Sequence, residues 1–438
     1  MYDLIIKNGT CVTPSGKEKV DIAIKDSKIV AIGKFDGSAD KVIDAQNLHV
    51  LPGIIDSQVH FREPGNEHKE DLEAGTRAAV LGGVTAIFEM PNTNPPTTSK
   101  EALEDKISRM KNRSWCDYAF FIGGTPVKDT NWHELEQLPG CAGIKIFMGS
   151  STGNLLVDQD EAIEDILKNS CRRVAVHCED EARLKERFHI AQEGGHARFH
   201  HKWRDEKTAL FATQRLLKIA RKTGHVVNVL HVTTKYEMEL LADYKDVATV
   251  EILPQHLTFT DEDYEKQGSF VQMNPPIRTK DHQDALWKAL NEGIVDVMGS
   301  DHAPHTKEEK AKTYPQSPSG MPGVQTIVPI MLNYVNQGRL TLERFVDLMA
   351  GGPARIYNIA GKGRIAVGYD ADFTIVDMNE KRTITNDWIV SKCGWTPYNG
   401  KEVQGWPTHT IIRGNVIMQN DELVGGQTGE TVKFQNTL

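Results

Sequence analysis

Two rhythms of apolar and polar positions divide the chain. Over about the first fifty residues, short runs such as "YDLIIKNG", "DIAIKDSKIVAIG" and "KVIDAQNLHVL" alternate with a period of two and are broken by Gly or Asp-Ser, which predicts strands and turns. The last seventy or so residues behave alike ("GRIAVGYDADFTIVDM", "THTIIRGNVIMQNDEL"), so the two ends are expected to build one small β domain. Between them, apolar runs at 54–60, 83–92, 117–124, 143–149, 172–179, 225–233, 247–254 and 294–302 predict eight strands. The intervening segments, "KEDLEAGTRAAVLGG" and "EKTALFATQRLLKIARKTG" among them, carry a helical period. Eight βα units over roughly 250 to 300 residues have the size of a (β/α)8 TIM-like barrel. A doubly wound sheet is the rival. The barrel is preferred because polar residues recur near the C-terminal ends of the strands, where a barrel places its active site. The expected division is 1–52 for the first part of a β-sandwich, 53–362 for the barrel and 363–438 for the second part.

Chemistry changes the picture next. His60 ends the first run, Lys145 sits in the fourth, and His177, His231 and Asp301 lie at the ends of the fifth, sixth and eighth. Each alone reads as an ordinary core or surface residue. In a barrel all five converge on one mouth, and that coincidence points to a metal site. Imidazole and carboxylate donors suit Zn²⁺, and Mn²⁺, Co²⁺ or Fe²⁺ could use the same set. Lys145 is the odd member, because an ammonium only donates and repels a cation. It becomes a ligand if CO₂ carboxylates its nitrogen; otherwise it is a packing or salt-bridging lysine. On a strand, positions 58 and 60 share a face, yet the chain offers Gln58 where a second His would complete a pair. Arg62 shares that face too, and a guanidinium fork suits a carboxylate.

Composition narrows the partners. The 438 residues are 39% hydrophobic and 25% charged, as in a globular protein, and the formal charge of −9 is spread along the chain. That argues against nucleic acid and for a small-molecule substrate. Six cysteines without a C-x-x-C pair suggest neither a disulfide framework nor a zinc knuckle, and suit the cytoplasm. No run approaches the ~18 apolar residues of a membrane span. "GSSTG" around Ser151 matches the nucleophile elbow of serine hydrolases, but no Asp then His stands out after it. "GKGRIA" (361–366) mimics a dinucleotide fingerprint in reversed context. "GSSTGN" (149–154) reads equally as a lid or a turn.

The segments "GIIDSQVHFREPG", "EMPNTNP", "GIKIFMG", "VHCED", "VLHVTT", "NPPIR", "SDHAPHTKEEK" and "PSGMPGVQT" together resemble the dihydroorotases, cyclic-amide hydrolases of the amidohydrolase superfamily. The resemblance runs through nearly the whole chain. It implies a binuclear site in which His60 helps hold one ion, His177 and His231 hold the other, carboxylated Lys145 bridges them, and Asp301 binds metal while serving as general base and acid. Two ions would supply a nucleophile at neutral pH and a Lewis acid. Asp301 would take the proton of the attacking oxygen and return it to the leaving ring nitrogen. The implied reaction interconverts N-carbamoyl-L-aspartate and L-dihydroorotate in pyrimidine synthesis. By the same resemblance Arg62, Asn92 and His305 clamp the substrate carboxylate, while Asn274, Pro322 and Gly323 meet the ring. A homo-oligomer is expected.

Two departures stand out. Gln58-x-His60 replaces the usual His-x-His, and "LPQH" (253–256) stands where "TPHH" is common. Gln58 reads as a poor ligand, as a partner of a metal-bound water, or as the mark of a one-metal enzyme. An inactive scaffold for aspartate transcarbamoylase is one alternative; retention of Lys145, His177, His231, Asp301, Arg62 and Asn92 opposes it. A sister allantoinase or hydantoinase is the other, opposed by Arg62, since their rings need no carboxylate clamp.

Overall fold

The computed structural model describes residues 1–34, 37–127, 130–151 and 155–435. The loop singled out at 149–154 therefore lies partly, at 152–154, outside the described residues.

The N-terminal strands are β1 (Tyr2–Lys7), β2 (Thr10–Thr13), β3 (Gly16–Lys19), β4 (Asp21–Lys25), β5 (Lys28–Gly33), β6 (Ala39–Asp44) and β7 (His49–Pro52). Asp26 and Ser27 join β4 to β5 with positive φ at both positions, as a tight hairpin requires. Next come β8 (Ile54–Val59), β9 (Val84–Glu89), β10 (Asp117–Gly123), β11 (Cys141–Phe147), β12 (Val174–His177), β13 (Val227–Val229), β14 (Ala248–Ile252) and β15 (Val297–Met298). These eight run parallel in sequential order, and a bridge between Val59 and His302 joins the first strand to the chain just past the last. The eight-stranded (β/α)8 barrel expected from the sequence is what forms. Its strands are buried on both faces, which is why they read as unbroken apolar runs.

Several of the longer helices bury one apolar side, while Leu72–Leu81 and Ile327–Asn336 are buried nearly all round. The helix Glu206–Thr223 starts where the Asp205 side chain accepts from Thr208 N, buries Ala209, Ala212, Leu216, Leu217 and Ala220, and stops at Gly224 in a left-handed conformation (φ 69°).

The C-terminal strands are β16 (Phe373–Thr383), β17 (Glu402–Ile412), β18 (Asn415–Gln419) and β19 (Glu422–Leu423). They join β7, β2 and β3 in one seven-stranded sheet, with β7 antiparallel to β16 through Val50 opposite Ile375. The other sheet has the order β5-β4-β1-β6. Leu4, Ile6, Ile22 and Ile24 of one sheet pack with Cys11, Val50, Phe373 and Ile375 of the other, so the chain ends do pair, as a sandwich.

Three of the buried histidines that lie outside the barrel-mouth donor pairs show what burial does to the imidazole. Burial holds His200 and His305 down to about 3 and His256 down to about 4, against an ordinary 6.5. The unfolded chain takes up these protons near pH 6.5 and the folded chain does not, so the contribution of these rings to stability is full above that pH and is lost as pH falls toward 4. With three protons gained only on unfolding, the slope approaches about 4 kcal/mol per pH unit. Urea melts across this window check it; a flat profile would show that these rings titrate normally.

Candidate functional site

The strand ends aim the expected residues into one cleft at the C-terminal mouth of the barrel. Gln58, His60, Arg62, Asn92, Lys145, His177, His231, Asn274 and Asp301 all line it, with Phe147, Ser151, Ala303, Ser319 and Gly320. Arg62, His231 and Asp301 have left-handed backbones, with φ of 61°, 37° and 44°. Such a conformation costs about 1–3 kcal/mol per residue and persists where surrounding contacts over-determine it. Each of the three lies two or three residues past the end of a barrel strand, and each lines the cleft.

Two pairs of donors face one another. His177 Nε2 lies 2.8 Å from Glu179 Oε2, and a carboxylate can only accept, so the ring proton sits on Nε2 and Nδ1 keeps a lone pair. That Nδ1 is 3.1 Å from His231 Nε2. Two ligand nitrogens on one tetrahedral Zn²⁺ sit about 3.3 Å apart. His60 repeats the arrangement: Nδ1 donates to Asn92 Oδ1 at 2.6 Å, which turns the bare Nε2 toward Asp301 Oδ1, 3.1 Å away. Gln58 Nε2 donates to the same oxygen at 3.2 Å.

Lys145 stands with both pairs in the cleft. Its Nζ is buried without a hydrogen-bond partner, 4.4 Å from the centre of the Phe147 ring. Burial pushes its pKa down to about 7, against the pull of Asp301 and Glu251. A buried, partly neutral amine is the form that reacts with CO₂, and the resulting carbamate would offer acceptor oxygens where the cleft has a lone nitrogen. Among the described residues no three His, Cys, Asp or Glu side chains form a ready cage. The donors come as two facing pairs; the Gln58 amide oxygen is a weak neutral addition, and a modified Lys145 would add anionic oxygens. On these grounds the residues fit a metal centre.

On the substrate side Arg62 is 4% exposed. Its Nε donates to Pro304 O at 3.2 Å and its Nη2 lies 3.3 Å from His305 Nε2. No carboxylate of the described residues lies within ion-pair distance of it. His305 is fixed by Lys69 on Nδ1 and by Ser319 O on Nε2, so it backs Arg62 rather than lining the cleft. Asn274 receives a bond from His200 Nε2 at 2.9 Å and gives one to Ser151 Oγ at 3.3 Å. Pro322 and Gly323 are buried and are not among the residues that line the cleft, and Gly323 N donates to His302 Nδ1 at 3.0 Å. A wider recess of about 520 Å³, walled by Leu184, Phe188, Trp203 and Pro318, opens outward from Ser151, Asn274 and Ser319.

Two residues escaped the sequence reading. Glu179 holds the His177 tautomer and is itself held by Arg204, whose Nε lies 3.0 Å from Glu179 Oε1, and this partnership keeps the carboxyl well below its usual range despite burial. Glu179 had a signal, since it lies two residues past His177. Arg204 had none, because it reaches the site from a connection between helices.

The Amidohydrolase family model matches residues 49–417. A dihydroorotase of Methanosarcina mazei is 35% identical over 97% of this chain and 96% of its own length. An allantoinase of Deinococcus radiodurans is 32% identical over 98% of each. The solved L-hydantoinase (dihydropyrimidinase) of Arthrobacter aurescens superposes with a TM-score of 0.94 at 30% identity, covering 99% of this chain and 100% of that one. Members of the matched family are in general metal-dependent. Barrel, cleft and relatives agree that this chain belongs to the amidohydrolase family.

Proposed function

We propose that the protein is a metal-dependent cyclic-amide hydrolase that interconverts L-dihydroorotate and N-carbamoyl-L-aspartate, a step of pyrimidine synthesis. The observation that carries this choice is Arg62: a buried guanidinium beside the donor pairs with no carboxylate partner among the described residues. Burial lowers its pKa to about 10, so it stays charged and calls for an anion. Dihydroorotate brings a carboxylate to it; the uncharged ring of a hydantoin does not. Six unpaired cysteines suit a reducing compartment such as the cytoplasm, and no helix of the described residues is long and apolar enough to cross a membrane.

His177, His231 and carboxylated Lys145 would hold one ion, and His60, Asp301 and the same carbamate a second, with the Gln58 amide a weak addition. A bound divalent ion, Zn²⁺ by this donor set, supplies Lewis acidity and activates water at neutral pH. Arg62, backed by His305, binds the substrate carboxylate and orients the ring. Asn274, held between His200 and Ser151, presents its amide to the ring. Asp301 accepts the proton of the attacking water and delivers it to the leaving ring nitrogen; ring closure runs the same transfers backward. Glu179 keeps the proton of His177 on Nε2, so that Nδ1 faces the cleft.

Arg62→Ala removes a charge-assisted contact of about 2–3 kcal/mol and is expected to raise KM roughly 30- to 150-fold, with a smaller loss in kcat. Unchanged kinetics would discredit the clamp. Gln58→His turns a weak neutral donor into an imidazole beside His60, so a dialysed sample should retain more metal by elemental analysis. Equal stoichiometry would show that Gln58 does not limit binding.

The deciding assay is turnover of L-dihydroorotate by purified protein with Zn²⁺ and bicarbonate, followed as loss of ring absorbance, with an apo control. Hydantoin and allantoin are run beside it, because an allantoinase and hydantoinases are among the similar proteins. Preference for either of those would transfer the assignment to a sister activity.

A further inference from the structure

The two departures at Gln58 and Gln255 meet at one residue. Gln58 Nε2 donates to Asp301 Oδ1 at 3.2 Å. Gln255, on the short helix after β14, donates from Nε2 to the carbonyl of Ser300 at 2.7 Å, and that carbonyl belongs to the peptide that enters Asp301. A carbonyl only accepts, so the Gln255 amide is fixed with its NH₂ toward Ser300. The approach is tight: a Cβ added at Gly323 would lie 3.0 Å from Gln255 Nε2 and 2.8 Å from Ser300 O. Asp56 Oδ1 ties the same two stretches from below, accepting from Gln58 N at 3.2 Å and from Ser300 N at 3.0 Å. On the far side His302 N donates to Ser300 Oγ at 3.1 Å, and His302 O accepts from His60 N at 2.7 Å. Asp301, in its left-handed conformation, needs such restraint, since the strain would otherwise relax and swing the carboxylate away.

We propose that Gln58 and Gln255 are positioning residues that act as a pair on Asp301. One holds its carboxylate, the other holds the peptide that sets the carboxylate's direction. The inference rests on the reading of Asp301 as the proton carrier. It gives the two glutamines one purpose: where the resembled family commonly has histidines, this chain has two amides that hydrogen-bond around its base, so Asp301 is aimed by the protein frame even when the neighbouring donors are not all engaged by metal. Neither glutamine touches the substrate in this account.

The experiment compares Gln58→Leu, Gln255→Leu and the double variant with the wild-type holoenzyme. Gln255→Leu is expected to lower kcat roughly tenfold with KM within about twofold and metal content unchanged, because it misaims a proton carrier without touching substrate or metal. At saturating metal, where the weak Gln58 donor does not limit occupancy, the double variant should lose little more than either single one, since both act on the same carboxylate. In an Asp301→Asn background Gln255→Leu should change nothing, whereas with Asp301 intact Gln255→His, which keeps an N–H donor for Ser300 O, should keep much of the wild-type rate. A Gln255→Leu enzyme with native kcat, multiplicative losses in the double variant, or an effect that persists without the Asp301 carboxylate would each overturn the pairing. Thermal melts of the four proteins read the coupling without turnover: losses in Tm that overlap in the double variant support it, and losses that add overturn it. Failure of the wild type to open any ring would sink the proposed reaction instead, and the melts would still decide on the pair.

Discussion

Asp301→Asn is expected to lower ring opening by about a thousandfold or more, some 4 kcal/mol of barrier, while the fold survives. The amide has the shape of the carboxylate but cannot take a proton from water or hand one to a ring nitrogen. Its oxygen can still accept from Gln58, and Asn tolerates the left-handed backbone at this position better than most residues. Circular dichroism and Tm should therefore stay close to wild type. A rate within tenfold of native would remove Asp301 as the proton carrier and leave its place in the cleft to be explained by metal binding alone.

The second large effect is expected at Lys145. Lys145→Ala should also cost about a thousandfold in rate, some 4 kcal/mol, and should deplete bound metal, because the carbamate it would carry is gone. The variant leaves a hole the size of a side chain in the cleft at the barrel mouth, among His60, His177, His231 and Asp301. Acetate or propionate fits such a hole and brings back a carboxylate, so part of the rate and of the metal should return as either is titrated in. Lys145→Arg, which fills the space with a permanent cation, should be inactive with or without the acid. Loss of rate without any recovery of metal or activity would mean that the amine, not a carbamate, is the working form.

The barrel was legible because parallel strands with both faces covered give apolar runs that need no partner to be recognised. The residues at their ends were legible as a set, since a barrel gathers strand ends from distant parts of the sequence. Other parts of the site follow from tertiary contacts that leave no period in the sequence. Arg204 enters on an irregular connection, and only the folded chain brings it to Glu179. His305 belongs to the resembled carboxylate clamp, yet the structure sets it behind Arg62, where Lys69 and Ser319 saturate its ring. The left-handed backbones of Arg62, His231 and Asp301 are likewise invisible in residue type, for none is a glycine. Gln58 shows the same limit. Its face on the strand could be read, but not that its amide would turn to the Asp301 carboxylate.

The pairing of β7 with β16 sets a timetable for synthesis. His49 and Val376 face each other across that ladder, and β7 leaves the ribosome more than three hundred residues before its partner exists. At translation speeds of 5–20 residues per second the wait is roughly 15 to 60 s. Throughout it β7 keeps one edge bare, with the barrel growing beside it. The sheet can close only after the last barrel strand has been made, so the final steps of maturation fall to the C-terminal strands, and a chain stalled before β16 would display an open edge ready to recruit its neighbours.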